Sequence, residues 1–518
     1  MKHLYAILSS FLLTSTGGFS QTFADNTAQL FYDNCANCHN PNGIAPFSII
    51  SYTDVVANAG IIYDAIAQKT MPPWPPEENY VGFSHSRALE ETERMLLLDW
   101  MTSGMPEGNP ANTPAPPVFN TGALLGAGDL EIQIPTYMSK AISGSDDYVC
   151  FSLPSNLLQN RTIRAMEVVP GNPEIVHHCL IYIDETGNYP TDTTSGTCNG
   201  PTNATLVGGY TPGSTPLIFP NGNGLKLGMD LQANSNIVFA MHYPEGSYGQ
   251  FDDTKVIFHF YDELESGIRQ VSADPIIQNW SFSLPPEQLT AVNASYSNIP
   301  VNISLLSIFP HMHLLGKSIK SYALDPLNDT IRLINIPDWD FHWQDFYIFK
   351  NLVRLPANSV IRGEGVYDNT VGNVHNPNNP PIAVYPGLNT TDEMFLVYFH
   401  YLPYLPGDES YDLEELSSLG LTSYDITASN SFEVYPNPFE TSTTIRILGN
   451  TPSNNASVSI YDYRGRLVKE LVKGTTFSSD ILLNWDGTNQ SGNSVSSGVY
   501  FISSLVNGEH SFSKVVKR

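Results

Sequence analysis

About one residue in seven of this 518-residue chain is glycine or proline, 38 of each. Both interrupt helices, and the Thr-, Ser-, Val- and Tyr-rich stretches between them favour pleated, half-buried surfaces. The expected fold is therefore mainly β, built from short strands and turns. The length exceeds what one hydrophobic core serves, so three or four domains are expected. With 24 Lys+Arg against 51 Asp+Glu the net charge is -27, which repels phosphate backbones and anionic lipid surfaces and argues against nucleic-acid binding. Residues 1–24 begin Met-Lys-His, run apolar from Leu4 to Leu13 and reach small residues at Ser20 and Ala24, the pattern of a secretory signal peptide. No later run is long and apolar enough for a transmembrane segment. The mature protein is expected beyond the inner membrane, where disulfides persist.

Directly after the signal stands Cys35-Ala36-Asn37-Cys38-His39. In an exported chain this spacing lets both thiols form thioethers to haem vinyl groups while the histidine supplies an axial nitrogen. A thioredoxin-like dithiol is the alternative, but it leaves His39 without a role. A second axial ligand is expected in a downstream loop, and Met71 within Thr70-Met71-Pro72-Pro73-Trp74 is the candidate, because a proline-rich loop holds a thioether rigidly. Met101 and Met105 compete with it, but Leu89, Leu96, Leu97 and Trp100 recur at helical spacing and put Met101 on or near a packed helix. Residues 25–110 thus resemble a small, helical c-type cytochrome. A proline-rich linker follows over 111–122.

Several later strand-like runs carry soft ligands. His311 and His313, two apart in Phe309-Pro-His-Met-His-Leu-Leu-Gly-Lys317, face one side of a strand, and Met312 the other. His177 and His178 are adjacent, so both reach one metal only where a strand twists, bulges or ends. His242 closes Ile237-Val-Phe-Ala-Met-His-Tyr243, and Met394 opens Met-Phe-Leu-Val-Tyr398. Five imidazoles and a thioether suit copper better than magnesium or calcium, whose ligands are oxygens. Periodicity alone does not say how they group.

The ordered set His177-His178, His242, His311-x-His313 and Met394 resembles the copper type II, ascorbate-dependent monooxygenases over roughly residues 120–410. The resemblance implies two jelly-roll-like β-sandwiches, 123–287 and 288–410, facing each other across a cleft. It assigns His177, His178 and His242 to an electron-transfer copper, and His311, His313 and Met394 to a second copper that activates dioxygen. The implied reaction is hydroxylation of an activated C–H bond of a small substrate, and Tyr398 matches a substrate-site tyrosine. A peptide carboxylate is gripped in the family by an arginine shortly before the His-x-His run; Phe309 stands there instead, which makes a C-terminal glycine peptide a doubtful substrate. Cys179 follows the histidine pair where animal members carry methionine. It is open to a disulfide with Cys150 or Cys198, to burial as a thiol, or to approach to copper. His85, His259, His342, His375 and His400 match no ligand position. The fused haem is a candidate electron source, with ascorbate as another reductant.

After a linker over 411–428, residues 429–518 change character. Tyr435-Pro-Asn-Pro-Phe439, Tyr461-Asp462, Asn484-Trp-Asp-Gly487, Ser497-Gly-Val-Tyr-Phe501 and the basic end Lys514-Val-Val-Lys-Arg518 resemble the Ig-like sorting domain of type IX secretion cargo. That likeness implies the outer-membrane type IX machinery as a partner and a secreted or surface-attached product. The expected activity is an exported copper monooxygenase with an attached cytochrome; a non-hydroxylating haem and copper electron-transfer or copper-binding protein is the alternative.

Overall fold

The computed structural model describes residues 21–41, 43, 45–117, 123–198, 200–201, 203–297, 299–341, 343–417, 432–447, 453–462, 466–477, 481–506 and 509–518. Most of the signal-like segment, His342, and residues 118–122 and 418–428 of the two linkers lie outside them. The chain divides into two compact units, Met1–Ser418 and Leu419–Arg518. Strands dominate both, as the glycine and proline density predicts.

The first unit opens with short helices Ala28–Asn34, Tyr52–Ala57, Ala59–Ala67 and Glu91–Thr102. Ser51 Oγ accepts the Asp54 amide, and Glu90 with Glu93 forms a reciprocal capping box, which satisfies amides that these helix starts leave unpaired. Trp100 and Met101 are buried here, so Met101 is a packed helix residue, as its spacing predicted. Phe23 is buried in the same core, its ring 6.0 Å from that of Trp100.

Two β-sandwiches follow. In the first, one sheet runs Asp147–Pro154, Asn236–Tyr243, His178–Asp184, Thr205–Tyr210, all antiparallel, and a larger sheet built on Arg161–Val169 and Lys255–Phe260 covers it. Phe239, Ile181, Phe258 and Ile163 join both sheets in one core, each at most 1% exposed. The second sandwich pairs the sheet Ser272–Asn279, Phe395–Pro403, Ile303–His311, Tyr347–Leu355 with the sheet Gln288–Tyr296, Val360–Asn369, Gly316–Leu324, Thr330–Ile336. Met312 is fully buried in this core. Strand pairing puts the change of sandwich before Ser272, earlier than the expected 287/288 boundary, because Ser272–Asn279 pairs with Phe395–Pro403. Likewise the expected linker starts too early: Leu413–Ser417 is helical, and its Leu413 and Leu416 are buried in the first sandwich's core.

The second unit contains a three-stranded and a four-stranded antiparallel sheet around Trp485, Phe439, Ile460, Ile502 and Val515. Lys517 Nζ donates to the Gly487 and Val495 carbonyls and to Ser494 Oγ, which seats the basic C-terminus among polar acceptors.

Candidate metal centres

Antiparallel register builds the first centre. His178 opens its strand and pairs directly with His242 of the adjacent strand. His177 lies just before the strand start, with its amide donating to the His242 carbonyl at 3.1 Å. The strand thus begins between the adjacent histidines, which is one of the ways that lets both point at one place. The His178 Nδ1 lies 3.3 Å from the Nδ1 of His177 and 3.3 Å from that of His242. A tetrahedral metal with nitrogen ligands at ~2.0 Å requires N···N separations of roughly 3.3 Å, so this donor set fits one soft or borderline ion. His242 Nε2 is 3.0 Å from Asp146 Oδ2. Donation to that carboxylate puts the proton on Nε2 and the lone pair on Nδ1, facing the other histidines. Burial acts to raise the Asp146 carboxyl, but the His242 contact and the Glu245 amide prevail and hold it below its usual range. The Tyr148 ring stacks on His242 at 4.2 Å and 7°. Burial, then the neighbouring histidines, drives His178 well below the usual imidazole range, so it is neutral at neutral pH.

The second centre forms where strands of the other sandwich end. His311 is the last residue of Ile303–His311 and is paired with Leu396. His313 lies just beyond, and Met394 immediately precedes Phe395–Pro403. The two imidazole centroids are 5.0 Å apart. The His311 Nδ1 meets Gln344 Oε1 at 2.5 Å, and the His313 Nδ1 meets the Asp392 carbonyl at 3.1 Å. Both acceptors take a proton from Nδ1, which leaves the Nε2 lone pair for a metal. Burial lowers His311 to about 4, and burial together with His311 lowers His313 to about 3. Glu393, fully buried, accepts the amides of His313 at 2.9 Å and Leu315 at 2.6 Å and so clamps the turn that carries His313. Tyr367 Oη donates to the Met394 carbonyl at 2.6 Å.

Both centres open on one cavity, of about 80 Å³, whose walls include Tyr148, His178, His311, His313, Met394 and Tyr398. Phe309 pairs with Tyr398 across the strands and lines it too.

A larger cavity of about 490 Å³ lies beside the helices. Cys35, Cys38, His39 and Met71 line it together, and so do His177, Pro212 and Trp343 of the following region. His39 Nδ1 donates to the Phe47 carbonyl at 3.0 Å, which leaves Nε2 as the ligating nitrogen. Burial pushes Cys35 up to about 12 and also raises Cys38. A redox-active dithiol needs a depressed thiol instead. Arg87 joins the helical region to the second sandwich through Asp345 at 2.8 Å.

Cys150 and Cys198 form a disulfide, and Cys179 is a buried thiol inside the first core. His259 and His400 are buried, the latter with Nδ1 2.9 Å from Ser307 Oγ, whereas His375 is exposed and His85 half-buried. Sequence reasoning missed Asp146, Gln344 and Glu393. Glu393 was the most accessible of these, as a carboxylate directly before Met394.

Comparison with known proteins agrees with this chemistry. Residues 282–415 match the copper type II ascorbate-dependent monooxygenase C-terminal domain, and residues 437–506 match the FlgD Ig-like domain. Dog (Canis lupus familiaris) dopamine beta-hydroxylase is 22% identical over 260 residues, 46% of this chain and 39% of that protein, so the chain spans about two fifths of its relative. These similarities support a copper monooxygenase, an oxidoreductase class whose family implies copper and ascorbate. Among solved structures, PorZ, a surface component of the type-IX secretion system of Porphyromonas gingivalis, is 18% identical over 24% of this chain and 15% of its own, with a TM-score of 0.15. Dimeric latent PorU from the same organism is 14% identical over 72% and 34%, also at 0.15. Similarity that low carries no argument about fold or function.

Proposed function

We propose that this chain is an exported copper-dependent monooxygenase that hydroxylates an activated C–H bond of a small substrate, with an attached c-type haem feeding it electrons. One observation carries the reading: His178 of the three-histidine cluster lines the same cavity as His311, His313 and Met394. Two copper ions would each supply one of the two electrons that hydroxylation by dioxygen requires, one from an electron-transfer and one from an oxygen-activating position. The chain's own residues prepare both positions. Asp146, Gln344 and the Asp392 carbonyl set which nitrogen of His242, His311 and His313 carries a proton. Burial keeps His178, His311 and His313 neutral and so able to ligate. Met394 adds a thioether, which favours the reduced ion. Phe309, Leu396 and Tyr398 form the wall against which substrate would be oriented and water excluded.

Electron supply by haem is supported by the second cavity. Cys35 and Cys38 would form the thioethers, and His39 Nε2 and Met71 Sδ the axial ligands. His177 of the three-histidine cluster lines the same cavity, so a group held there would lie beside the electron-transfer position. Export through the type IX machinery, to release or surface attachment, belongs to the same proposal. It is supported by the signal-like N-terminus, the sorting-domain-like C-terminal sequence and the separate sandwich that sequence forms.

Metal analysis of the mature protein tests this. Two coppers and one haem iron per chain are expected, with His242→Ala losing one copper and Met394→Ala weakening the other. One copper or none, or both variants depleting the same ion, would refute it.

A further inference from the structure

The cavity between the two centres has a chemical character that bears on its substrate. Away from the metal-facing histidines, its wall includes Leu180, Leu206, Ala240, Phe309 and Leu396, with hydroxyls carried by Tyr148, Tyr182, Thr390 and Tyr398. Phe309 is fixed by a stacked Phe346, 4.5 Å away at 13°, and its ring centroid is 6.3 Å from that of Tyr398. Tyr182, Leu206, Ala240 and Phe309 belong to a buried cluster that includes the Cys150–Cys198 disulfide, with Leu180 and Tyr398 packed against it. Among the described residues, the wall contains no Asp, Glu, Lys or Arg. The carboxylate of Asp274 accepts the Tyr401 hydroxyl at 2.6 Å, and that of Asp146 is engaged by His242 and the Glu245 amide.

We propose that this site takes an uncharged, largely apolar arylalkyl molecule with one hydrogen-bonding group for Tyr182 or Tyr398, and rejects substrates that carry a carboxylate or an ammonium; this rests on reading the cavity as the substrate site. A buried wall of this kind stabilises an aromatic ring through contact area and offset stacking. An ion entering it loses hydration and meets no opposite charge, a penalty that a phenol's hydrogen bond does not offset. The neutral phenols can donate to or accept from a hydroxyl or carbonyl, so one polar atom is tolerated where an ion is not.

Three probes of nearly one shape separate these cases: 4-ethylphenol, tyramine and 4-hydroxyphenylacetate, titrated at pH 7.5 into the full chain by calorimetry or ligand-observed NMR, with copper content assayed separately. The expected result is binding of 4-ethylphenol, with each charged probe at least ~100-fold weaker, consistent with an unpaired buried charge. Leu180→Trp, which fills the wall from a half-buried position, should weaken 4-ethylphenol tenfold or more. Phe309→Arg should favour 4-hydroxyphenylacetate; if that variant does not fold, the unaltered chain and Leu180→Trp still decide. Comparable or tighter binding of a charged probe, no binding of 4-ethylphenol, or binding indifferent to Leu180→Trp overturns the proposal. Selective binding by a chain without oxygen chemistry counts against the monooxygenase reading and leaves this one standing.

Discussion

Replacing Asp146 with alanine removes the carboxylate that takes the His242 Nε2 proton. In the structure, Asp146 Oδ2 takes the His242 Nε2 proton at 3.0 Å, while Oδ1 accepts the Glu245 amide at 2.9 Å. Without it, His242 is released to the other tautomer, in which Nδ1 carries the proton and cannot bind a metal. Loss of such a partner typically costs 10–100-fold in metal affinity, about 1.4–2.8 kcal/mol. The Asp146 side chain is 31% exposed and His242 only 3%, so water screens one end of the contact; the lower half of that range, ~1.4–2 kcal/mol, is expected. Asp146→Asn keeps an acceptor oxygen without the charge and should lose less. The assay is a competition titration of copper against a chelator of known affinity, with the two positions told apart in a Met394→Ala background. Unchanged affinity at the three-histidine position, or equal weakening of both positions, would refute the tautomer argument. A loss confined to thermal stability would assign Asp146 to the loop alone.

The remaining expectations concern the haem site and pH. Met71→Leu should keep the haem attached through Cys35 and Cys38 but abolish the iron–thioether absorption band and lower the potential by on the order of 0.1 V, since a methionine ligand raises it; an unchanged spectrum excludes Met71. A haem that stays reduced when dioxygen and substrate reach the copper-loaded protein would end the case for electron supply. Burial lowers His400 to about 4 from an ordinary 6.5. The unfolded chain therefore takes up that proton first as pH falls below about 6.5, and native stability drops until about pH 4, by up to ~3 kcal/mol. His400→Gln should remove one proton's worth of this slope in denaturant titrations between pH 4 and 7; an unaltered slope would show that His400 is not depressed.

Local signals in the chain and long-range pairing contribute differently to these features. The Cys35-x-x-Cys38-His39 run is legible because its chemistry needs only neighbouring residues. Glycine and proline density, and the burial of Met312 beside His311, follow from backbone sterics and side-chain alternation over a few positions. The grouping of His177, His178 and His242 was readable only by family likeness, because the residues that meet are 64 positions apart and only the strand register brings His242 opposite His178. Asp146 and Gln344 carry no local mark, since each acts through a partner on another element, 96 and 33 positions away. The pairing of Ser272–Asn279 with the second sandwich escaped for the same reason: a strand's preference for one sheet is decided by packing and not by its own composition. Sequence by itself determined the β character, the Cys-x-x-Cys-His run and the residue types available to metals. Only tertiary structure decided which of them share a cavity and which nitrogen each histidine presents, because those depend on register and on hydrogen-bond acceptors contributed from distant strands and loops.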